Sequence, residues 1–198
     1  MATYREWEEN TVPYGFLITF RTYGTWLHGD ERGSVDREHN VFGTPRIQAN
    51  PLMANLGRSM MRRPPVKLDA NIRMAVKMAI REVWEFKDWA LRAINIRTNH
   101  AHVVASTADR DHSKVLNAFK AYSTRKMREL GYWTLDSSPW SDKGSQRVLW
   151  NQDSLWYACN YVDNAQGPDL DDYDAWLLKQ KPPADAGGSP FDPNGYSL

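Results

Sequence analysis

Disulfide chemistry is the first thing this sequence cannot support, because it holds one cysteine, Cys159, and no internal bridge can form. Long apolar runs are missing too. No stretch is long and apolar enough for a membrane-spanning helix, and the start, MATYREWEEN, lacks the apolar segment of a signal peptide. The expectation is a cytoplasmic protein with no membrane partner. Net charge is also scarce: the formal value of +1 gives no global argument for a polyanion, so a nucleic-acid partner has to be argued from local patches.

Such patches exist. Between Arg58 and Lys87, eight Lys and Arg face three acids, a local charge of +5, whereas Asp169 to Asp174 is strongly acidic. Nine tryptophans are unusual; large amphipathic rings suit cores, interfaces and base-stacking platforms alike, and core packing alone is an adequate account of most of them. With 198 residues the chain can build one core but not two ordinary ones. A single domain over 1–167 is expected, with a long insertion at 22–66 and an acidic, Pro- and Gly-rich, poorly ordered tail at 168–198.

The residue pattern gives the element order. Gly15 to Phe20 is rich in β-branched and aromatic types, as a first buried strand should be. Leu68 to Phe86 has apolar residues at helical spacing, with Asp69 as cap or first-turn acid. Trp89 to Ile96 and Ala101 to Ser106 read as a strand hairpin. Ser113 to Leu130 follows as a helix with Ser113 as N-cap, then a short strand at Gln146 to Trp150, then a helix from Asp153 to Gln166 stopped by Gly167-Pro168. Strand, helix, strand, strand, helix, strand, helix describes an α+β ferredoxin-like sandwich with a mostly antiparallel sheet and helices on one face.

His100-Ala101-His102 opens a strand, where residues i and i+2 share a face, so both imidazoles can reach one ion. Taken alone, such a pair is more often two partly exposed edge residues than a metal site. Its surroundings, Asn99-His100-Ala101-His102-Val103-Val104, resemble the signature of the single-tyrosine HUH transposases, the insertion-sequence-200-like and REP-associated tyrosine transposases. Lys120-Ala121-Tyr122-Ser123-Thr124-Arg125, Trp150 and Tyr161-Val162-Asp163-Asn164 are similar to that family's later motifs, in the same order.

The resemblance implies a ferredoxin-like fold and a metal-dependent enzyme that nicks and rejoins single-stranded DNA, recognising hairpins through a 5′-phosphotyrosine intermediate. It implies Tyr161 as nucleophile, with Tyr157, one turn earlier, as runner-up. His100 and His102 would hold a divalent metal, Mg or Mn. Where the family often has a third ligand, a glutamine one turn after the tyrosine, this chain has Ala165; neighbouring Gln166 is the substitute candidate. The partner would be single-stranded or hairpin DNA, with a homodimer possible. The chemistry demands such help, since a phenol of pKa near 10 is a poor nucleophile until a cation favours its phenolate.

Lys114, Lys120, Ser123, Arg125, Lys126 and Arg128 would form a backbone-binding helix face, and a merely solvated face is an equally good account of them. Arg21 and Trp26 join the DNA-binding set, Trp26 within a loop, Thr25 to Gly33, suited to stacking on splayed bases. Two other readings stay open: a domesticated hairpin-binding regulator without cleavage, and a zinc hydrolase built on the two histidines. The second lacks a nearby acid in ligand spacing.

Overall fold

A computed structural model of the chain describes residues 12–33, 47–107, 112–168 and 170. Two compact units make up the chain, Met1–Gly167 and Pro168–Leu198, and every element named below belongs to the first. Apart from Pro168 and Leu170, the tail expected to be poorly ordered lies outside the described residues. Among the described residues, no helix is long and apolar enough to cross a membrane.

The order is β1 (Gly15–Thr22), α1 (Pro51–Ser59), α2 (Ala70–Lys87), β2 (Ala90–Ile96), β3 (His100–Ser106), α3 (His112–Glu129), β4 (Trp140–Leu149) and α4 (Gln152–Asn164). The four strands form one sheet in the order β2-β3-β1-β4, and every pairing is antiparallel. This is the ferredoxin-like arrangement that the sequence pattern implies.

Strand alternation divides the sheet into two faces. Phe16, Ile18 and Phe20 of β1 and Val103 and Ala105 of β3 point to the larger core, where Ala75, Val76, Ile80 and Val83 of α2 and Val115, Leu116 and Phe119 of α3 meet them. Asp69 caps α2 by accepting from the Ile72 amide, as expected, and Asp88 ends it in the left-handed region at φ 52°. The expectation of helices on one face holds for α2 and α3. α4 departs from it and packs on the opposite face, its Ala158 and Val162 set against Ala93, Val104 and Leu149.

Three boundaries also differ from expectation. α3 begins at His112, so Ser113 lies inside its first turn. The cap of α4 is Asn151 and not Asp153, with a reciprocal capping box to Ser154. β4 is longer than Gln146 to Trp150, starting at Trp140 opposite Thr22 after a register shift. Within the long insertion, α1 was not foreseen; Asn50 accepts from the Met53 amide and Pro51 stands at the first helical position.

The β4 end of the sheet is tied to α3 by two side chains. Lys120 donates from Nζ to the carbonyls of Ser141, Asp142 and Lys143 at 2.7, 3.1 and 3.1 Å. The Trp140 indole donates to the Lys120 carbonyl and to Thr124 Oγ1, and its ring meets Phe20 edge-on at 4.9 Å. Burial lowers the Lys120 pKa, which the charge of Asp142 partly offsets, and the three carbonyls satisfy its buried amine. Lys120→Ala should therefore lower the unfolding free energy by about 2 kcal/mol, because the carbonyls lose a charged donor. Urea denaturation followed by circular dichroism measures this; an unchanged midpoint would contradict it.

Candidate active site

β3 starts at His100, and its first and third side chains emerge on the sheet face away from the larger core. Pairing with β1 sets Arg21 opposite His100 and Thr19 opposite His102. The two imidazole centroids are 4.7 Å apart at 78°. His102 Nδ1 lies 2.7 Å from the Thr19 hydroxyl, and His100 Nδ1 lies 2.7 Å from Asn99 Oδ1. With the Asn99 oxygen accepting, His100 carries its proton on Nδ1; the Thr19 hydroxyl can accept from His102 in the same way. Nε2 of His102 is then left for ligation, the arrangement by which outer partners orient metal-binding histidines, while the His100 ring has a second partner in Gln166.

Electrostatics keep both rings neutral. Burial lowers the His100 pKa to about 4, helped by Arg21 and Arg97 and opposed by a hydrogen bond with Gln166. Burial, then His100, then Arg21 bring His102 to about 3. Neutral imidazole is the form that binds a metal. Among the described residues no group of three His, Cys, Asp or Glu side chains is placed to hold a metal ion. The donor set at hand is two imidazoles and an amide, since Gln166 reaches the His100 ring while its Nε2 donates to the Tyr161 carbonyl at 2.9 Å. Imidazole and amide oxygen, completed by water, fit a divalent ion such as Mn or Mg.

α4 carries the tyrosines. Its docking rests on Ala158 and Val162 and on Asn95, whose Nδ2 donates to the Val162 carbonyl at 3.1 Å. This sets the Tyr161 ring 5.5 Å from the His102 ring, at 77°. Tyr161 keeps 43% of its surface exposed. Tyr157, the runner-up, packs instead against Trp156, with centroids 5.0 Å apart. Both tyrosines line a groove of about 830 Å³ between α4 and the strands, together with Arg21, His102, Arg147 and Asp153.

The expected DNA-binding residues separate into two groups. Arg21 lies in the groove, and its guanidinium covers one side of the Trp26 ring at 3.4 Å from the centroid. Arg32 lies over the same ring at 4.5 Å, held by Asp30 through two 2.7 Å bonds, and the Trp26 indole donates to the Gly33 carbonyl. Trp26 is thus engaged by arginines, not presented for base stacking.

The residues expected on α3 belong to the element that covers the other sheet face, away from the histidines. Ser123 is fully buried, and Lys120 is committed to the three carbonyls, so neither faces a ligand. Lys126 pairs with Glu82 at 2.7 Å and with Glu129 at 3.2 Å. Arg125 pairs with Glu129 and covers Tyr122, and Arg128 donates to the carbonyls of Leu135 and Asp136. Lys114 is exposed. Arg147, which the sequence reading missed, stands opposite Leu17 and points into the groove. Its signal was the alternation of Ser145, Arg147 and Leu149, legible only once the strand is known to start early.

Residues 59–165 match the family model described as transposase, IS200-like. Two solved structures are similar at low identity. One is a REP-associated tyrosine transposase bound to a REP hairpin, 13% identical over 82% of this chain and 70% of that one, with a TM-score of 0.42. The other is a candidate transposase from Deinococcus radiodurans R1, 11% identical over 85% of this chain and 100% of that one, with a TM-score of 0.44. No curated protein matches the chain.

The depressed imidazole pKa values fix a sign for pH dependence. A histidine at about 3 or 4 when folded and near 6.5 when unfolded binds fewer protons in the native state between those limits. Stability of the metal-free protein should therefore be complete above about pH 6.5 and fall as the pH drops toward 4. Thermal melts at pH 7 and pH 5 test this; His102→Gln should flatten the difference, and a melting point that rises on acidification would refute it.

Proposed function

Because the chain belongs to the IS200-like transposase family, we propose that it nicks and rejoins single-stranded DNA with Tyr161 as nucleophile. The observation that carries this is the Tyr161 ring resting on His102 at the end of a groove lined by Arg21 and Arg147. DNA in single-stranded or hairpin form is the proposed partner.

In the forward step the Tyr161 phenolic oxygen attacks the scissile phosphorus and forms a P–O bond. The 3′-oxygen departs with its electron pair and takes up a proton, while the phenol's proton passes to solvent. The product is a 5′-phosphotyrosine and a free 3′-hydroxyl, and the reverse attack restores the strand. No outside energy source is needed, since one phosphodiester bond replaces another. A divalent ion held by His100, His102 and Gln166 would polarise the phosphate oxygens and offset charge in the transition state. Arg21 and Arg147 supply fixed positive charge to hold the backbone phosphates. Asn95 keeps α4 seated, so that the phenol stays beside the histidine pair.

The decisive experiment incubates the protein with a labelled hairpin oligonucleotide bearing a single-stranded flank, with Mn or Mg, and separates products on a denaturing gel. A covalent adduct is expected with the unaltered protein and with Tyr157→Phe, and none with Tyr161→Phe. An adduct that survives Tyr161→Phe overturns the assignment. Hairpin binding without any adduct would instead favour a DNA-binding regulator.

Thr19 offers a second check. Thr19→Val removes the hydroxyl that orients His102 and should weaken Mn binding roughly 10- to 100-fold, as loss of such outer partners does. Titration calorimetry measures it, and unchanged affinity would argue against ligation through His102 Nε2.

A further inference from the structure

Trp26 was the aromatic residue expected to stack on bases, yet arginines cover its ring at 3.4 and 4.5 Å. Exposed aromatic surface lies elsewhere. On α4, Trp156 and Tyr157 are 61% and 65% exposed, and they meet each other edge to face at 5.0 Å. An edge-to-face contact uses at most one ring face of the pair. Tyr157 also lines the groove that holds His102, Arg21, Arg147 and Tyr161.

We propose that Trp156 and Tyr157 form a stacking shelf for an unpaired nucleobase next to the phosphate presented to Tyr161. This rests on the nicking reading for the position of that phosphate. Tyr157 lies four residues, one helical turn or about 5.4 Å, before Tyr161, so a base adjoining a phosphate at Tyr161 falls within its reach. Charge selects the occupant. Two guanidinium groups, Arg21 and Arg147, line the groove against one carboxylate, Asp153, a balance that suits a polyanion, and a ligand that combines phosphates with flat apolar rings is a single nucleic-acid strand. A paired duplex keeps its bases stacked inside and offers no free ring to the shelf. Both side chains keep most of their surface in water on a capped helix, and neither belongs to the core clusters.

The test uses the full chain in a Tyr161→Phe background without added metal, so that cleavage plays no part. Binding is measured by fluorescence anisotropy to a fluorescein-labelled, unstructured mixed-sequence deoxyoligonucleotide and to an abasic strand of equal length. Trp156→Ala with Tyr157→Ala should weaken binding to the base-bearing strand by on the order of ten-fold and leave the abasic strand unaffected. Tyr157→Trp should retain the affinity of the parent. Equal losses on both strands, or no loss on either, overturn the shelf. The outcomes separate from those of the nicking reading. Base-dependent binding with no adduct in the companion assay sinks the nuclease and keeps the shelf, whereas an adduct with no base-dependent loss does the reverse.

Discussion

The antiparallel pairing of β1 with β3 is the constraint on which the rest depends. It sets Thr19 beside His102 and Arg21 beside His100, and it turns Phe16, Ile18 and Phe20 to the opposite side. Side chains alternate with a period of two, so a slip of β1 by one residue would expose the phenylalanines and take Thr19 and Arg21 away from the imidazoles. The apolar residues on one face thus hold the polar geometry on the other. Packing of α2 and α3 against that core stabilises the register, and the register positions the histidines on the sheet face opposite those helices.

Much of this geometry was legible in the chain itself, because the informative patterns are local. The two histidines announce a shared face through their i, i+2 spacing, and Asp69 announces its helix through an apolar run at helical intervals. The proximity of Tyr161 to His102 came from family resemblance, since nothing local to α4 says which sheet face it covers. Its placement on the opposite face is a tertiary outcome, decided by small Ala158 and Val162 meeting Ala93 and Val104.

The errors have physical causes as well. Lys120 and Ser123 were counted as polar helix surface, yet they follow Leu116 by four and seven residues and precede Met127 by seven and four. They share the buried stripe by spacing alone. Polarity outweighed periodicity in that reading, and the amine's ability to satisfy three carbonyls was overlooked. α1 was hidden in a glycine- and proline-rich segment, although Asn50-Pro51 is a helix-start pair. Arg147 needed the register of β4, which no short window contains.

α4 rests on a narrow base. Its buried residues are Ala158 and Val162, whereas α2 buries seven. A fully buried valine is worth roughly 1.5–3 kcal/mol, and an alanine less. The burial that seats Tyr161 beside His102 is therefore a matter of a few kcal/mol, far below what holds α2 to the sheet. Because α4 lies on the sheet face opposite α2 and α3, a change in its seating alters the surroundings of His102 while leaving the larger core in place.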